Sequence, residues 1–132
     1  MRADGVESRT LTVFIVEDTP IVVQVLTRAL AGLNGIELCG HTGRVRDALA
    51  RIAHLQPDVV ILDVHLEDGS GLDLLRQFRQ QPAAPVIIMF SNSAYLRAHC
   101  LRGGADHFFD KSTEFQELVA TLKKLNGEHP GS

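Results

Sequence analysis

The chain of 132 residues has no tryptophan, a single tyrosine and only two cysteines. Cys39 and Cys100 have neither metal-knuckle spacing nor further cysteines around them, which speaks against a disulfide scaffold or a zinc site and leaves two buried or half-buried thiols as the expectation. Lysine and arginine together number 13 against 16 acids, a net charge of -3. They gather into no basic stripe, so binding nucleic acid through its phosphates is not expected. No apolar stretch approaches the ~20 residues of a membrane span, and no signal peptide precedes the first apolar run. A soluble, cytoplasmic protein without membrane partners is the expectation. What the chain does have is apolar content of 45%, enough to give one domain of this length a real core.

That apolar content is organised. Leu11-Thr12-Val13-Phe14-Ile15-Val16, Val59-Val60-Ile61-Leu62 and Val86-Ile87-Ile88-Met89-Phe90 are nearly unbroken runs rich in β-branched residues. Strands without polar alternation are covered on both faces, as in a parallel sheet flanked by helices. Two weaker strands, Ile36 to Thr42 and His107 to Phe109, suit positions nearer an edge. Between the strands the apolar period becomes helical. A first helix opens at Thr19-Pro20, with Thr19 as candidate N-cap, carries Val22, Val25, Leu26, Ala29, Leu30 and Leu33 inward, and closes at Asn34-Gly35. A second carries Val45, Ala48, Leu49 and Ile52 and stops before Gln56. A third runs from about Ser70, its plausible cap, to the prolines at Pro82 and Pro85. A fourth spans Ala94 to Arg102, and a fifth carries Phe115, Leu118, Val119, Leu122 and Leu125. Five strands alternating with five helices describe a doubly wound α/β domain over 10–126, between a disordered segment at 1–9 and a flexible tail at 127–132.

Chemistry sits where the strands end. Glu17-Asp18 follows the first strand, Asp63 the third and Lys111 the fifth. Parallel strands present their C-terminal ends on one edge, so these distant residues are expected to meet in one acidic pocket with a lysine beside it. Clustered carboxylates repel one another unless a cation sits among them. Oxygen ligands in small number suit Mg²⁺, which keeps several waters and leaves room for a phosphoryl group. Asp63 beside such an ion can attack phosphorus and form an acyl phosphate, while the metal and the ammonium offset charge on the transferring group. Ser91, just after the fourth strand, offers a hydroxyl at the same edge, although such serines are commonly turn formers. His65, two residues beyond Asp63, could overlook the phosphoryl group or simply face solvent. His41, His54, His99, His107 and His129 have no ligand spacing.

On these residues the chain resembles the receiver domains of two-component response regulators, from about Leu11 to Leu125. Glu17 and Asp18 match that family's acidic pair, Asp63 its phosphorylated aspartate, Ser91 its strand-end hydroxyl and Lys111 its lysine; the Asp68-Gly69-Ser70-Gly71 and Gly104-Ala105-Asp106 stretches are also similar. The resemblance implies a flavodoxin-like sheet of order 2-1-3-4-5. It implies Mg²⁺ held by Asp18, Asp63 and the backbone carbonyl of His65, with Glu17 acting through water. It further implies a phosphohistidine donor on a sensor histidine kinase or a histidine phosphotransfer protein, replaceable by acetyl phosphate, and a monomer or weak homodimer. Three positions depart from the pattern. Glu67 stands where the family often has proline. Ser112 follows Lys111 where proline is usual, so the cis peptide common there is not expected. Phe108, rather than tyrosine, occupies the aromatic switch position.

The function expected is a phosphorylation switch without enzymatic activity towards other molecules. The phosphoryl group adds charge at Asp63, draws in Ser91 and Lys111, and lets Phe108 rotate inward. The surface of the fourth helix, fifth strand and fifth helix then changes for an unknown downstream protein partner. Because the chain ends soon after the fifth helix, a stand-alone receiver is expected, or else one excised from a longer regulator. Three other readings compete. A flavin carrier would need a phosphate cradle where Glu17-Asp18-Thr19-Pro20 stands. A Mg²⁺-dependent phosphatase usually needs an aspartate where His65 stands. A degenerate receiver that only binds would not have every site position filled.

Overall fold

The structure is a computed structural model and describes residues 10–127. The expectations for 1–9, for 128–132 and for His129 lie outside the described residues. The elements are β1 (Leu11–Val16), α1 (Pro20–Ala31), β2 (Ile36–Thr42), α2 (Val45–Leu55), β3 (Val59–Leu62), β4 (His65–Leu66), β5 (Gly69–Ser70), α3 (Gly71–Arg79), β6 (Val86–Ser91), α4 (Arg97–Arg102), β7 (His107–Asp110) and α5 (Phe115–Gly127). The main sheet is parallel with order β2-β1-β3-β6-β7, the expected topology, and the two weaker strands are its edges.

The unbroken apolar runs have a simple cause. Alternate residues of one strand feed two cores, one on each face of the sheet. Phe14, Val16, Val60 and Leu62 meet α2, α3 and α4. Val13, Ile15, Val59 and Ile61 meet α1 and α5. Cys39 is half-buried and Cys100 buried, both as free thiols. Among the described residues no helix is long and apolar enough to cross a membrane.

Several element ends differ from the sequence reading. α1 stops at Ala31 rather than near Leu33, with Gly32 at its C-cap, and the chain then turns through Gly35, whose φ of 81° favours glycine. Thr19 occupies the N-cap position, but its hydroxyl bonds Asp18 and caps nothing in the helix. Val25, expected inward, is 45% exposed. α3 ends at Arg79, because Gln81 precedes Pro82 and is biased away from helical backbone. Ala94–Leu96 forms a 3₁₀ turn before the α-helical part of the fourth helix. Gly127 completes α5 instead of beginning a tail. The antiparallel β4–β5 hairpin was not expected at all.

Candidate functional site

Strand register builds the site. Val16 pairs with Leu62, so the next residue on each strand, Glu17 and Asp63, emerges side by side; the Asp63 N–H donates to the Val16 carbonyl at 3.0 Å. Ser91 pairs with Asp110, and the following Lys111 N–H donates to the Ser91 carbonyl at 3.1 Å. Four strand ends thus bring Glu17, Asp18, Asp63, Ser91 and Lys111 to one edge.

The charges interlock. Lys111 Nζ lies 2.7 Å from Glu17 Oε1 and 3.0 Å from Asp63 Oδ2. Asp63, 7% exposed, has its other oxygen fixed by the Val64 N–H at 2.7 Å. Glu17 Oε2 accepts the Thr19 N–H at 3.1 Å. Burial, with the nearby charge of Asp63, pushes the Glu17 carboxyl above its ordinary range despite its bond to Lys111. Burial disfavours the ammonium of Lys111, but the hydrogen bonds and charges of Glu17 and Asp63 outweigh it, and its pKa lies above the ordinary lysine value.

A lone ammonium facing several acids leaves the pocket with excess negative charge. Glu17, Asp18 and Asp63 each offer a carboxylate oxygen, and these atoms lie within 4.8 Å of one another. An all-oxygen set this compact fits Mg²⁺, whose short bonds and retained waters need few protein ligands.

Other expected residues fall around this centre. Ser91 is buried, and its hydroxyl accepts the Ser93 N–H at 3.1 Å, so it shapes the turn as well as standing at the site edge. The exposed His65 ring is not loose in solvent: Nε2 lies 3.0 Å from Ser93 Oγ, spanning the loops after β3 and β6. Ser70 caps α3 as expected, accepting the Leu72 N–H at 3.1 Å. Phe108, expected to turn inward on phosphorylation, is already inward, at 3% exposed. The Arg97 guanidinium lies 5.0 Å from its ring centroid and donates to its carbonyl at 2.9 Å. Arg97 also pairs with Glu114 at 2.5 Å.

The sequence reading missed Ser93, Arg97 and Asp68. Ser93 and Arg97 act through side chains from neighbouring elements, for which a local pattern has no sign. Asp68 accepts the Val45 and Arg46 N–H groups at 2.6 and 3.2 Å, capping α2 from 23 residues away. An acid followed by glycine reads locally as a turn and nothing more.

The family described as Response regulator receiver domain matches residues 13–123. The chain is 34% identical over 126 residues to the probable transcriptional regulatory protein TcrX of Mycobacterium tuberculosis, covering 94% of this chain and 52% of that protein. It is also 34% identical to the KDP operon transcriptional regulatory protein KdpE of Escherichia coli, over 89% of this chain and 52% of that one. The chain therefore spans about half the length of these relatives. Among solved structures, a putative response regulator from Chloroflexus aurantiacus superposes with a TM-score of 0.80 at 28% identity, covering 90% of this chain and 99% of that one. The response regulator domain of Thermotoga maritima CheB shares the fold, with a TM-score of 0.77 at 22% identity over 91% of this chain and 96% of that chain. Sequence and architecture thus agree, and the chain belongs to the receiver domains of two-component response regulators.

Proposed function

We propose that the domain accepts a phosphoryl group on Asp63 from a phosphohistidine of a sensor histidine kinase or histidine phosphotransfer protein. The observation that carries this is the meeting of Asp63 with Lys111 at 3.0 Å inside a compact acidic cluster. An Asp63 carboxylate oxygen attacks phosphorus, a P–O bond forms, the donor's P–N bond breaks, and the imidazole leaves with the electron pair. Asp18, Asp63 and the His65 carbonyl would hold Mg²⁺, with Glu17 through water, and the ion would supply positive charge to the phosphoryl oxygens. Lys111 is already charged and aimed at Asp63, so little reorganisation is needed when negative charge accumulates there. Ser91 supports the same oxygens from the end of β6.

His65, two residues beyond Asp63 and fixed against Ser93, restricts water approaching the acyl phosphate, which lengthens its life. Output passes through α4, β7 and α5. The inward Phe108, held under Arg97, links Lys111 to that surface, and phosphorylation increases the population of the arrangement in which Ser91, Lys111 and Phe108 are drawn together. A tenfold response requires about 1.4 kcal/mol of preference between the two arrangements, which a few charge-assisted hydrogen bonds can supply. The partner contacted there is a protein, and the domain itself has no activity towards other molecules.

Intact-mass measurement after incubation with acetyl phosphate and Mg²⁺ tests the reading. The parent protein gains one phosphoryl group and Asp63→Asn gains none. A gain in both proteins would place the acceptor elsewhere.

A further inference from the structure

The loop after Asp63 carries the backbone carbonyl of His65, and it must be stiff if that carbonyl is to serve a metal. In this chain the stiffness has an unusual source. β4 and β5 pair Leu66 with Gly69, leaving Glu67 and Asp68 as a two-residue turn. Neither has a positive φ, so of the four common turn types only type I fits. Type I favours proline at its first central position, yet Glu67 is there.

The turn is instead anchored from outside. α2 has no side-chain cap from its own N-cap residue, Arg44. Asp68 supplies the cap, its two oxygens accepting the Val45 and Arg46 N–H groups. Glu67 pairs with Arg44 at 3.2 Å, and its N–H points to the Gly43 carbonyl at 3.4 Å. Gly43 in turn packs directly on the far half of the site: a Cβ there would lie 3.0 Å from Asp18 Cα and 3.4 Å from the Glu17 carbonyl. The start of α2 is therefore wedged between two loops. One carries Glu17 and Asp18; the other carries Asp63 and His65.

We propose that Asp68 is a positioning residue for the metal site, clamping the loop after β3 onto α2 so that the His65 carbonyl and Asp63 stay in register with Asp18. The clamp does the work that a proline at position 67 would do by restricting the backbone. This rests on the Mg²⁺-assisted reading above, and it concerns the supports of the site rather than its ligands.

Calorimetric titration of Mg²⁺, without any phosphodonor, is the test, run beside thermal melting of each variant. Asp68→Ala weakens Mg²⁺ binding by about tenfold, the lower end of what loss of a ligand's supporting partner costs. Asp68→Asn keeps one oxygen for the helix N–H groups and loses less. Glu67→Pro suits the type I turn and the extended Leu66 before it, though it gives up the Arg44 pair and the Glu67 N–H; added to Asp68→Ala, it restores part of the lost affinity. A residue that only stabilises α2 would lower the melting temperature and leave the Mg²⁺ dissociation constant unchanged. That result in Asp68→Ala overturns the inference, as does a double variant that regains stability without affinity. Should Asp68→Ala not fold, parent-like affinity with a lowered melting temperature in Asp68→Asn overturns it equally. Absence of Mg²⁺ binding by the parent protein would instead remove the metal reading and this inference with it.

Discussion

Asp63 is held at both oxygens, one by Lys111 and one by its neighbour's N–H, and its backbone is held as tightly by Gly71. A Cβ at Gly71 would overlap the Asp63 carbonyl oxygen, and the Gly71 N–H donates to the Val64 carbonyl at 2.7 Å. Two effects compete in Gly71→Ala. Helix propensity favours alanine by up to about 1 kcal/mol. Crowding in a close-packed interior costs about 1–3 kcal/mol, and here the obstacle is backbone that cannot swing aside. Crowding wins: Gly71→Ala lowers stability by roughly 1–2 kcal/mol in urea unfolding, and slows acetyl phosphate labelling of Asp63 because the acceptor is displaced. An alanine variant as stable as the parent would show that the loop yields more easily than its packing indicates. That Glu17, Asp18, Asp63 and Lys111 would meet was legible in sequence because each lies within two residues of a strand's C-terminal end. Gly71 could be read only as a turn former, since the atom it makes room for lies eight positions back along the chain.

At the scale of elements, one α4 side chain reaches both β7 and the residue just before α5. Arg97 covers Phe108 and pairs with Glu114, which also accepts the Asp110 N–H at 2.9 Å. The Arg97 hydrogen bond, followed by that N–H, holds the Glu114 carboxyl below its ordinary value of 4.5. A depressed carboxylate contributes stability that is present above the unfolded-state value and is lost as pH falls through the folded-state value. Glu114→Gln therefore lowers the melting temperature at neutral pH, and the variant loses less than the parent does when pH is taken from about 5 to about 3. Calorimetry at several pH values checks it; parallel curves would mean the pair contributes nothing. Strands were the most legible elements, because burial on both faces leaves unbroken apolar runs. The β4–β5 hairpin was not, since two-residue strands are too short to show a period. Val25 and the last turn of α1 misled for a related reason: an apolar stripe marks which face can be buried, and the neighbouring elements decide how much of it is.

For the whole molecule, that unburied stripe matters. Ile21, 61% exposed, and Val25 flank a groove of about 290 Å³ whose lining includes Phe90, Phe115 and Lys111. The groove opens beside the sheet edge that carries Lys111, between α1 and α5. On the proposed function, a protein donor brings a phosphohistidine to Asp63 and so must rest on surface next to it, whereas acetyl phosphate needs only the pocket. An apolar anchor at such a contact is worth more than about 1 kcal/mol when it is central, and Ile21 is the most exposed of the groove's apolar residues. Ile21→Ala removes the apolar anchor and adds no charge beside Lys111, which lines the same groove. The variant takes a phosphoryl group from acetyl phosphate at the parent's rate and from purified histidine kinases that serve the parent at a rate reduced roughly tenfold. Equal losses from both donors would trace the defect to the pocket, and equal rates from both would move the donor's docking surface away from α1.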